Sequence, residues 1–325
     1  MSNAADRKPL ALEHLRFGVG LGDIQMWPGA IRDVYGDWLV GNVDRSRPMR
    51  VHHLDAGGTR PFGGRLLDGR PGVLRQAVGA CHCLLIEHAA GLALVDTGYG
   101  EQAILQPDRW VGQKLLHRTN PLLDHPIAKQ VEALGFSRTD VRDIIVTHLD
   151  LDHAGGLADF PEATVHVYQA ELDAVAEPYD RRQRTRYRPA QFEHGPKWST
   201  YDESDSSDDH WLGFHAVRQL RGLPEEILMI PLAGHTRGHV GVALNTGDGW
   251  LLHAGDAYTY HGQMANKPSM PLGARVFQWS VDTQRQRRID NQQRLRDLVR
   301  DHPTTVTVFS SHCATEFEQL RTARP

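Results

Sequence analysis

Four side chains that can bind a metal lie within six residues of this chain: His148, Asp150, Asp152 and His153. They follow a short apolar run, 141–146, that is typical of a buried strand. Imidazole and carboxylate groups are ligands of zinc, manganese and iron. A helix cap would account for only one of these residues, whereas a bound cation accounts for all of them. The segment therefore predicts a metal centre that activates water.

Four further segments follow the same pattern, in which an apolar strand ends at or near a potential ligand. One such segment would be a weak signal, because aspartate and glycine commonly follow strands as turn residues. Together with the first segment, they predict a site assembled from the ends of separate strands. The potential ligands at these strand ends are Asp96, His235, Asp256 and His312.

The strands that must position these residues are short and alternate with turns rich in glycine and proline. Helical periodicity occurs at 127–134 and in a polar segment at 283–300. Such a mixture favours stacked sheets with helices outside them. The predicted strands are 51–54, 83–86, 92–95, 141–146, 164–168, 226–231, 240–245, 250–253 and 305–309.

The domain organisation follows from where this regular pattern starts. Residues 50–325 are predicted to form one domain, preceded by an extension at 1–49 that packs on its body. Between 176 and 215 we expect an irregular excursion from the β-rich body, because charged and aromatic residues replace the apolar runs there.

Two charge runs lie in this excursion, arginines at 181–188 and acidic residues at 202–209. Their composition favours a solvent-exposed face on which they pair, with binding of an acidic substrate as the alternative. Arg237 and His261, which lie close in sequence to predicted ligands, are further candidates for anion binding.

Overall composition excludes several partners. The 325 residues carry a net charge of −4, so the chain offers no basic field for nucleic acid or an anionic membrane. No apolar run approaches the roughly 20 residues needed to cross a bilayer. Charges near the N-terminus argue against a signal peptide, and we expect a cytoplasmic protein that acts on a small molecule. A homodimer is left open.

The three cysteines, Cys81, Cys83 and Cys313, are too few for a disulfide framework. The sequence Cys81-His82-Cys83 invites interpretation as a metal site. Because it runs into a strand-like segment, we expect buried structural thiols there instead.

With its five segments in this order, the chain resembles the metallo-β-lactamase superfamily of metal-dependent hydrolases over about residues 50–315. The resemblance implies an α/β fold, a four-layer αβ/βα sandwich of two mainly antiparallel or mixed sheets with helices outside. It also implies an active site at one edge, between the sheets.

Carried over by position, the resemblance implies two divalent metal ions, with zinc expected, and attack by a hydroxide that bridges them. The residues implied for the first ion are His148, Asp150 and His235, and those for the second are Asp152, His153 and His312. Asp256 would bridge the ions, Asp96 would orient ligands through hydrogen bonds, and His239 is expected to pack or hydrogen-bond rather than bind metal.

One position departs from the family pattern. Asp150 stands where the usual His-x-His-x-Asp-His motif has its second histidine. A third carboxylate brings the charge of a two-metal site near zero, which favours harder ions such as manganese or iron. The alternative is that Asp150 binds weakly and the first metal site fills only in part.

The predicted activity is hydrolysis of an ester-like bond in a small molecule, with a lactone first and an organophosphate or thioester as alternatives. Asp152 and Asp256 would act in catalysis at the metals. Tyr258 and Tyr260 resemble a tyrosine that orients the substrate carbonyl in the lactonase branch, and packing is their alternative role. A di-iron redox protein and a non-catalytic metal-stabilised binding protein are the other hypotheses, although no Cys-x-x-Cys pair supports the former.

Overall fold

The computed structural model describes residues 49–179, 181–206, 210–217 and 220–322. The predicted extension at 1–49 therefore lies outside the described residues, apart from Met49.

A six-stranded mixed sheet forms one half of the sandwich, in the order β1-β2-β3-β4-β5-β6. Its first three strands pair antiparallel and the rest pair parallel. The strands are β1 (Arg50–Asp55), β2 (His82–His88), β3 (Gly91–Val95), β4 (Val141–Ile145), β5 (Thr164–Tyr168) and β6 (Lys197–Tyr201).

A four-stranded mixed sheet forms the other half, in the order β12-β11-β10-β9, and a short hairpin joins β7 to β8. Only the β11–β12 pair is parallel. The strands are β7 (His210–Trp211), β8 (Phe214–His215), β9 (Ile227–Pro231), β10 (Val240–Asn245), β11 (Trp250–His253) and β12 (Val306–Phe309).

All the described helices except α12, which follows β12, lie in connections between strands. The two helices predicted from periodicity are confirmed as α5 and α11. The α-helices are α1 (Arg65–Asp68), α2 (Glu101–Leu105), α3 (Pro107–Trp110), α4 (Gln113–Thr119), α5 (Ile127–Ala133), α6 (Leu151–Ala154), α7 (Gln169–Ala176), α8 (Arg181–Arg186), α9 (Glu203–Ser206), α10 (Leu272–Val281), α11 (Arg285–Asp301) and α12 (Ala314–Thr322). Single 3-10 turns cover Arg138–Asp140, Leu157–Asp159, Pro189–Phe192 and His261–Met264.

Three apolar layers show that the predicted four-layer sandwich is correct. Strand residues alternate between faces, so Leu85 packs on α5 and α7 while its neighbour Leu84 packs between the sheets. The layer between the sheets joins residues such as Leu84 to Met229 of the second sheet. On the far side of that sheet, Leu228 packs with Leu295 of α11.

Two elements differ from the sequence-based expectation. Residues 176–215 are not wholly irregular, because β6 pairs with β5 and extends the first sheet. Helix α10 was not among the predicted elements, although its apolar residues Leu272, Val276 and Trp279 follow helical spacing; the structure leaves all three exposed. Among the described residues, no helix is long and apolar enough to span a bilayer.

Candidate metal centre

The predicted ligands meet at one edge of the sandwich because they follow strands that run in the same direction. β3 and β4 are parallel, so the loops after them, carrying Asp96 and His148, lie side by side. β11 and β12 are also parallel, which brings together the loops carrying Asp256 and His312. A backbone hydrogen bond of 2.9 Å from Val240 to Thr147 ties the second sheet to the loop after β4.

Glycines let the ligand-bearing loops approach each other through their backbones. A Cβ on Gly155 would lie 2.5 Å from the carbonyl oxygen of Tyr99, and one on Gly156 would lie 2.6 Å from that of Thr97. A Cβ on Gly100 would lie 2.5 Å from Cα of Gly156. These contacts fix the turn after α6 against the loop after β3 and leave no room for a side chain.

Asp96 holds the ligands without facing the cavity. Its buried carboxylate accepts hydrogen bonds from the backbone and hydroxyl of Thr147, at 2.7 and 2.8 Å, and from Nδ1 of His153. Burial acts to raise the pKa of Asp96, but His153 and its hydrogen bond lower it overall. The ionised carboxylate therefore fixes the orientation of the His153 ring.

Asp152, His153 and His312 form a group whose ligand atoms all lie within 4.8 Å of one another, here called the His312 group. Nδ1 of His153 donates to Asp96, and Nδ1 of His312 donates to the carbonyl oxygen of Ala80 at 2.9 Å. The lone pairs of both rings are therefore on Nε2, and these atoms are 3.4 Å apart. Two lone pairs repel at this distance unless a proton or a metal ion lies between them.

Carboxylates around the same rings favour positive charge. Oδ2 of Asp256 lies 3.2 Å from Nε2 of His312, and Oδ1 lies 3.5 Å from Nε2 of His153. Burial alone would lower the pKa of His312, but Asp256 and Asp152 raise it to about 9. Asp256, Asp96 and Asp152 likewise raise the pKa of His153 against the effect of burial. The donor set and its charge therefore fit a divalent ion.

His148, Asp150 and His235 form a second set of ligand atoms within 4.8 Å of one another, here called the His148 group. Nε2 of His148 is buried and makes no hydrogen bond to any described residue, as expected of a ring nitrogen reserved for a ligand. The other two members contact Arg186. Its guanidinium donates to both carboxylate oxygens of Asp150 and, at 2.6 Å, to Nε2 of His235.

Sequence reasoning missed Arg186. The expectation of a solvent-exposed face at 181–188 is wrong for Arg186, and for Arg188, which donates to a backbone carbonyl of the loop after α3 at 2.9 Å. Arg237 instead stacks 3.9 Å above the ring of Tyr179 and does not line the cavity at the site. No local pattern marks Arg186, because the end of α8 reaches the site only through the tertiary fold.

His239 supports the site through hydrogen bonds at both ring nitrogens. Nδ1 donates to the carbonyl oxygen of Leu232 at 3.1 Å, and Nε2 accepts from the backbone amide of Asp256 at 2.8 Å. Burial, with the neighbouring His148 and His235, holds the pKa of His239 well below its usual value. The neutral ring has no lone pair left for a metal and fixes the backbone of Asp256.

A cavity of about 1200 Å³ opens on the ligand cluster. Of the two candidate tyrosines, Tyr260 lines this cavity and Tyr258 does not. Tyr258 is fully buried and donates to Glu316 at 2.9 Å, so its side chain packs under the loop instead of facing a substrate. Phe62, Val276 and Phe277 contribute apolar walls.

The three cysteines are free and buried, as predicted for Cys81 and Cys83. Cys81 donates to the carbonyl oxygen of Asp152 at 3.0 Å, and Cys313 lies 3.5 Å from Nδ1 of His261. The hydrogen bond with Cys83 and burial raise the pKa of Cys81, and burial raises the pKa of Cys83 and Cys313, so all three thiols stay protonated, as is typical of structural cysteines.

The sequence pattern of one family matches most of the domain that carries this site. The metallo-beta-lactamase superfamily matches residues 77–304, more than half of the chain. The chain belongs to the metallo-beta-lactamase superfamily.

Relatives in this superfamily agree with the assignment. A protein of Mycobacterium tuberculosis named "Probable metallo-hydrolase" is 37% identical over 265 residues, covering 82% of this chain and 80% of the relative. An N-acyl homoserine lactonase of Agrobacterium fabrum is 34% identical over 97 residues, 29% of this chain and 36% of the lactonase. A crystal structure of a variant AiiA from B. thuringiensis, with N-decanoyl-L-homoserine at its active site, shares the fold. It has a TM-score of 0.62 at 18% identity, over 84% of this chain and 96% of that one.

As a member of the metallo-beta-lactamase superfamily, the chain is a metal-dependent hydrolase. The His312 group and Asp256 fit a metal ion through their own geometry, and the fold places them beside a cavity large enough for a small molecule.

Proposed function

We propose that this hydrolase opens the ring ester of a small lactone that carries an apolar substituent. The observation that carries the proposal is that one cavity is lined both by candidate metal ligands and by apolar side chains. Asp152, Asp256 and His312 line it, and so do Phe62, Leu67 and Phe277. An ester bound in this cavity would have its carbonyl beside the ligands and its substituent against hydrocarbon.

A divalent ion bound here would lower the pKa of a water and polarise the ester carbonyl. The proposed ligands of this ion are Asp152, His153, His312 and Asp256. The carboxylates of Asp152 and Asp256 line the cavity, where either would accept the proton that the attacking water loses. A second ion held by the His148 group stays a prediction from the sequence.

Tyr260 is proposed to orient the substrate. Its side chain lines the same cavity as Asp256 and His312. A phenol hydroxyl in that position would donate to the carbonyl oxygen of the ester, which gains negative charge as water attacks.

The comparisons support a lactone over other esters. The partial match to an N-acyl homoserine lactonase and the shared fold with a structure that binds N-decanoyl-L-homoserine both point to this substrate class. An N-acyl homoserine lactone pairs an ester ring with an acyl chain, and the cavity offers candidate metal ligands for the ring and apolar side chains for the chain.

The test is a substrate panel on the purified chain with zinc, manganese or iron(II) added. It should contain N-acyl homoserine lactones of short and long acyl chain, an open-chain ester, a phosphotriester and a thioester, with Asp256→Ala as the control. We expect the highest kcat/KM on a lactone and loss of that activity in the control. Faster turnover of the phosphotriester or thioester would overturn the lactone assignment. Activity equal to Asp256→Ala on every substrate would favour a binding protein, and oxygen uptake with a reductant would favour redox chemistry.

A further inference from the structure

We infer that the guanidinium of Arg186 takes the place of one metal ion, so that the hydrolase works with a single divalent ion and an arginine as its second cation. The inference deepens the proposed function and rests on it only for the presence of an ion at the His312 group. Its basis is that Arg186 already hydrogen-bonds to the ligand atoms that a second metal ion would need.

Arg186 ends α8 and extends into the site, where its side chain is 12% exposed. Nε and Nη2 donate to the two oxygens of Asp150, Nη2 also donates to Nε2 of His235, and Nη1 donates to the carbonyl oxygen of Val281 at 2.5 Å. A bidentate contact with a carboxylate suits the planar guanidinium and fixes its position.

These contacts compete directly with a metal. A neutral imidazole nitrogen that accepts a hydrogen bond has one lone pair, and Nε2 of His235 directs it at Arg186. Both oxygens of Asp150 are engaged by the same guanidinium. An ion in the His148 group would therefore have to displace Arg186 from two of its three ligands.

Charge balance supports the same conclusion. One divalent ion and one guanidinium carry three positive charges, which the carboxylates of Asp150, Asp152 and Asp256 balance. Arginine stays charged at any pH that the fold survives. A second divalent ion beside Arg186 would leave this largely buried space with more positive than negative charge even when the ionised Asp96 is counted, which is unfavourable.

Two of the buried atoms that lack hydrogen bonds lie within reach of the single ion. Nε2 of His148 and Oδ1 of Asp256 are buried and make no hydrogen bond within the part of the chain that the structure describes. Both residues belong with His153 to a third set of ligand atoms within 4.8 Å of one another. His153 is shared with the His312 group, so an ion there lies within reach of them.

Arg186 also lines the cavity. Its observed hydrogen bonds use four of its N–H groups and leave one on Nη1. A fixed cation at this place would stabilise the negative charge that develops on the ester oxygen, which is the role otherwise given to a second metal.

Ion counting tests the proposal without any substrate. The full chain is stripped with a chelator, titrated with zinc against a chromophoric competitor, and its zinc content is measured after gel filtration. We expect one zinc per chain in the wild type and two in Arg186→Gln, in which binding of the second ion tightens by about 10- to 100-fold. Arg184→Gln, an exposed arginine of the same helix, should still bind one.

Two tight zinc ions in the wild type, one in Arg186→Gln, or two in Arg184→Gln would each overturn the inference. If Arg186→Gln does not fold, the wild-type count still decides. The double variant Arg186→Gln with Asp150→His, which restores the usual family motif, should then bind two. A wild type that binds one ion and hydrolyses no lactone would count against the proposed substrate and leave the role of Arg186 standing.

Discussion

Oδ2 of Asp96 lies 2.8 Å from Nδ1 of His153, on the side of the ring opposite Nε2, the atom proposed to bind metal. The same carboxylate accepts two hydrogen bonds from Thr147, so its position is fixed independently of the imidazole. Asp96 therefore selects the tautomer of His153 that leaves a lone pair on Nε2, where the proposed ion would bind.

Replacing this carboxylate should weaken metal binding. We expect Asp96→Asn to lower zinc affinity by about 10- to 100-fold, because the amide no longer supplies a charged acceptor to His153. Competition titration with a chromophoric chelator measures the change. Asp143→Asn is a matched control, since Asp143 pairs with His166 at 2.9 Å away from the site. Equal affinities in both variants would contradict the role of Asp96.

Substitution of one tyrosine should affect activity, and substitution of the other should affect stability. We expect Tyr260→Phe to lower kcat/KM on the preferred lactone by about tenfold, since one hydrogen bond to developing charge is lost. Tyr258→Phe should leave kcat/KM unchanged and lower the free energy of unfolding by about 1–3 kcal/mol, because Glu316 loses a buried donor. Lactone kinetics and urea unfolding measure both. A loss of kcat/KM in Tyr258→Phe, with a loss of stability in Tyr260→Phe, would assign the orienting role to Tyr258 instead.

The apolar wall should set the preference for acyl-chain length. Val276 lines the cavity and is 56% exposed, so a serine there removes hydrocarbon without disturbing the core. We expect Val276→Ser to reduce the ratio of kcat/KM for a long-chain lactone over a short-chain one by several-fold, on the scale of about 0.8 kcal/mol per buried methylene. Leu134→Ser, exposed after α5, is the control. An unchanged ratio would place the acyl chain elsewhere.

A cluster of histidines beneath the site should make stability depend on pH. Burial, with His253 and His52, lowers the pKa of His53 to about 4, and burial also lowers the pKa of His82 and His253. The unfolded chain takes up these protons near pH 6.5. The contribution of these histidines to the free energy of unfolding is therefore fully present above that pH and falls as the pH drops toward 4. Each such histidine adds up to about 1.4 kcal/mol per pH unit to the slope of the free energy of unfolding against pH.

Urea unfolding between pH 7 and pH 4, with zinc at saturation, measures this slope. We expect His53→Gln to reduce it, while His215→Gln, an exposed histidine of β8, leaves it unchanged. Identical slopes in both variants would show that His53 does not contribute.

The sequence predicted the sheets and the clustering of the candidate ligands because both depend on local patterns. Short apolar runs fix the strands, and a polar residue at the end of each run falls at the edge of its sheet, as at Asp96 and Asp256. Arg186 could not be predicted, because its contact with Asp150 spans 36 residues and depends on where α8 ends. Neither could the choice between Tyr258 and Tyr260, since their opposite orientations are set by the loop after β11.

The contacts at Gly100, Gly155 and Gly156 have a consequence for how such a protein can change. The loops that carry ligands are joined backbone to backbone, whereas α10 and the segment before β2, which wall the cavity, supply none of the proposed ligands. Mutational libraries confined to those walls can therefore alter substrate range while the ion stays bound, and libraries that include the three glycines should yield mostly misfolded clones.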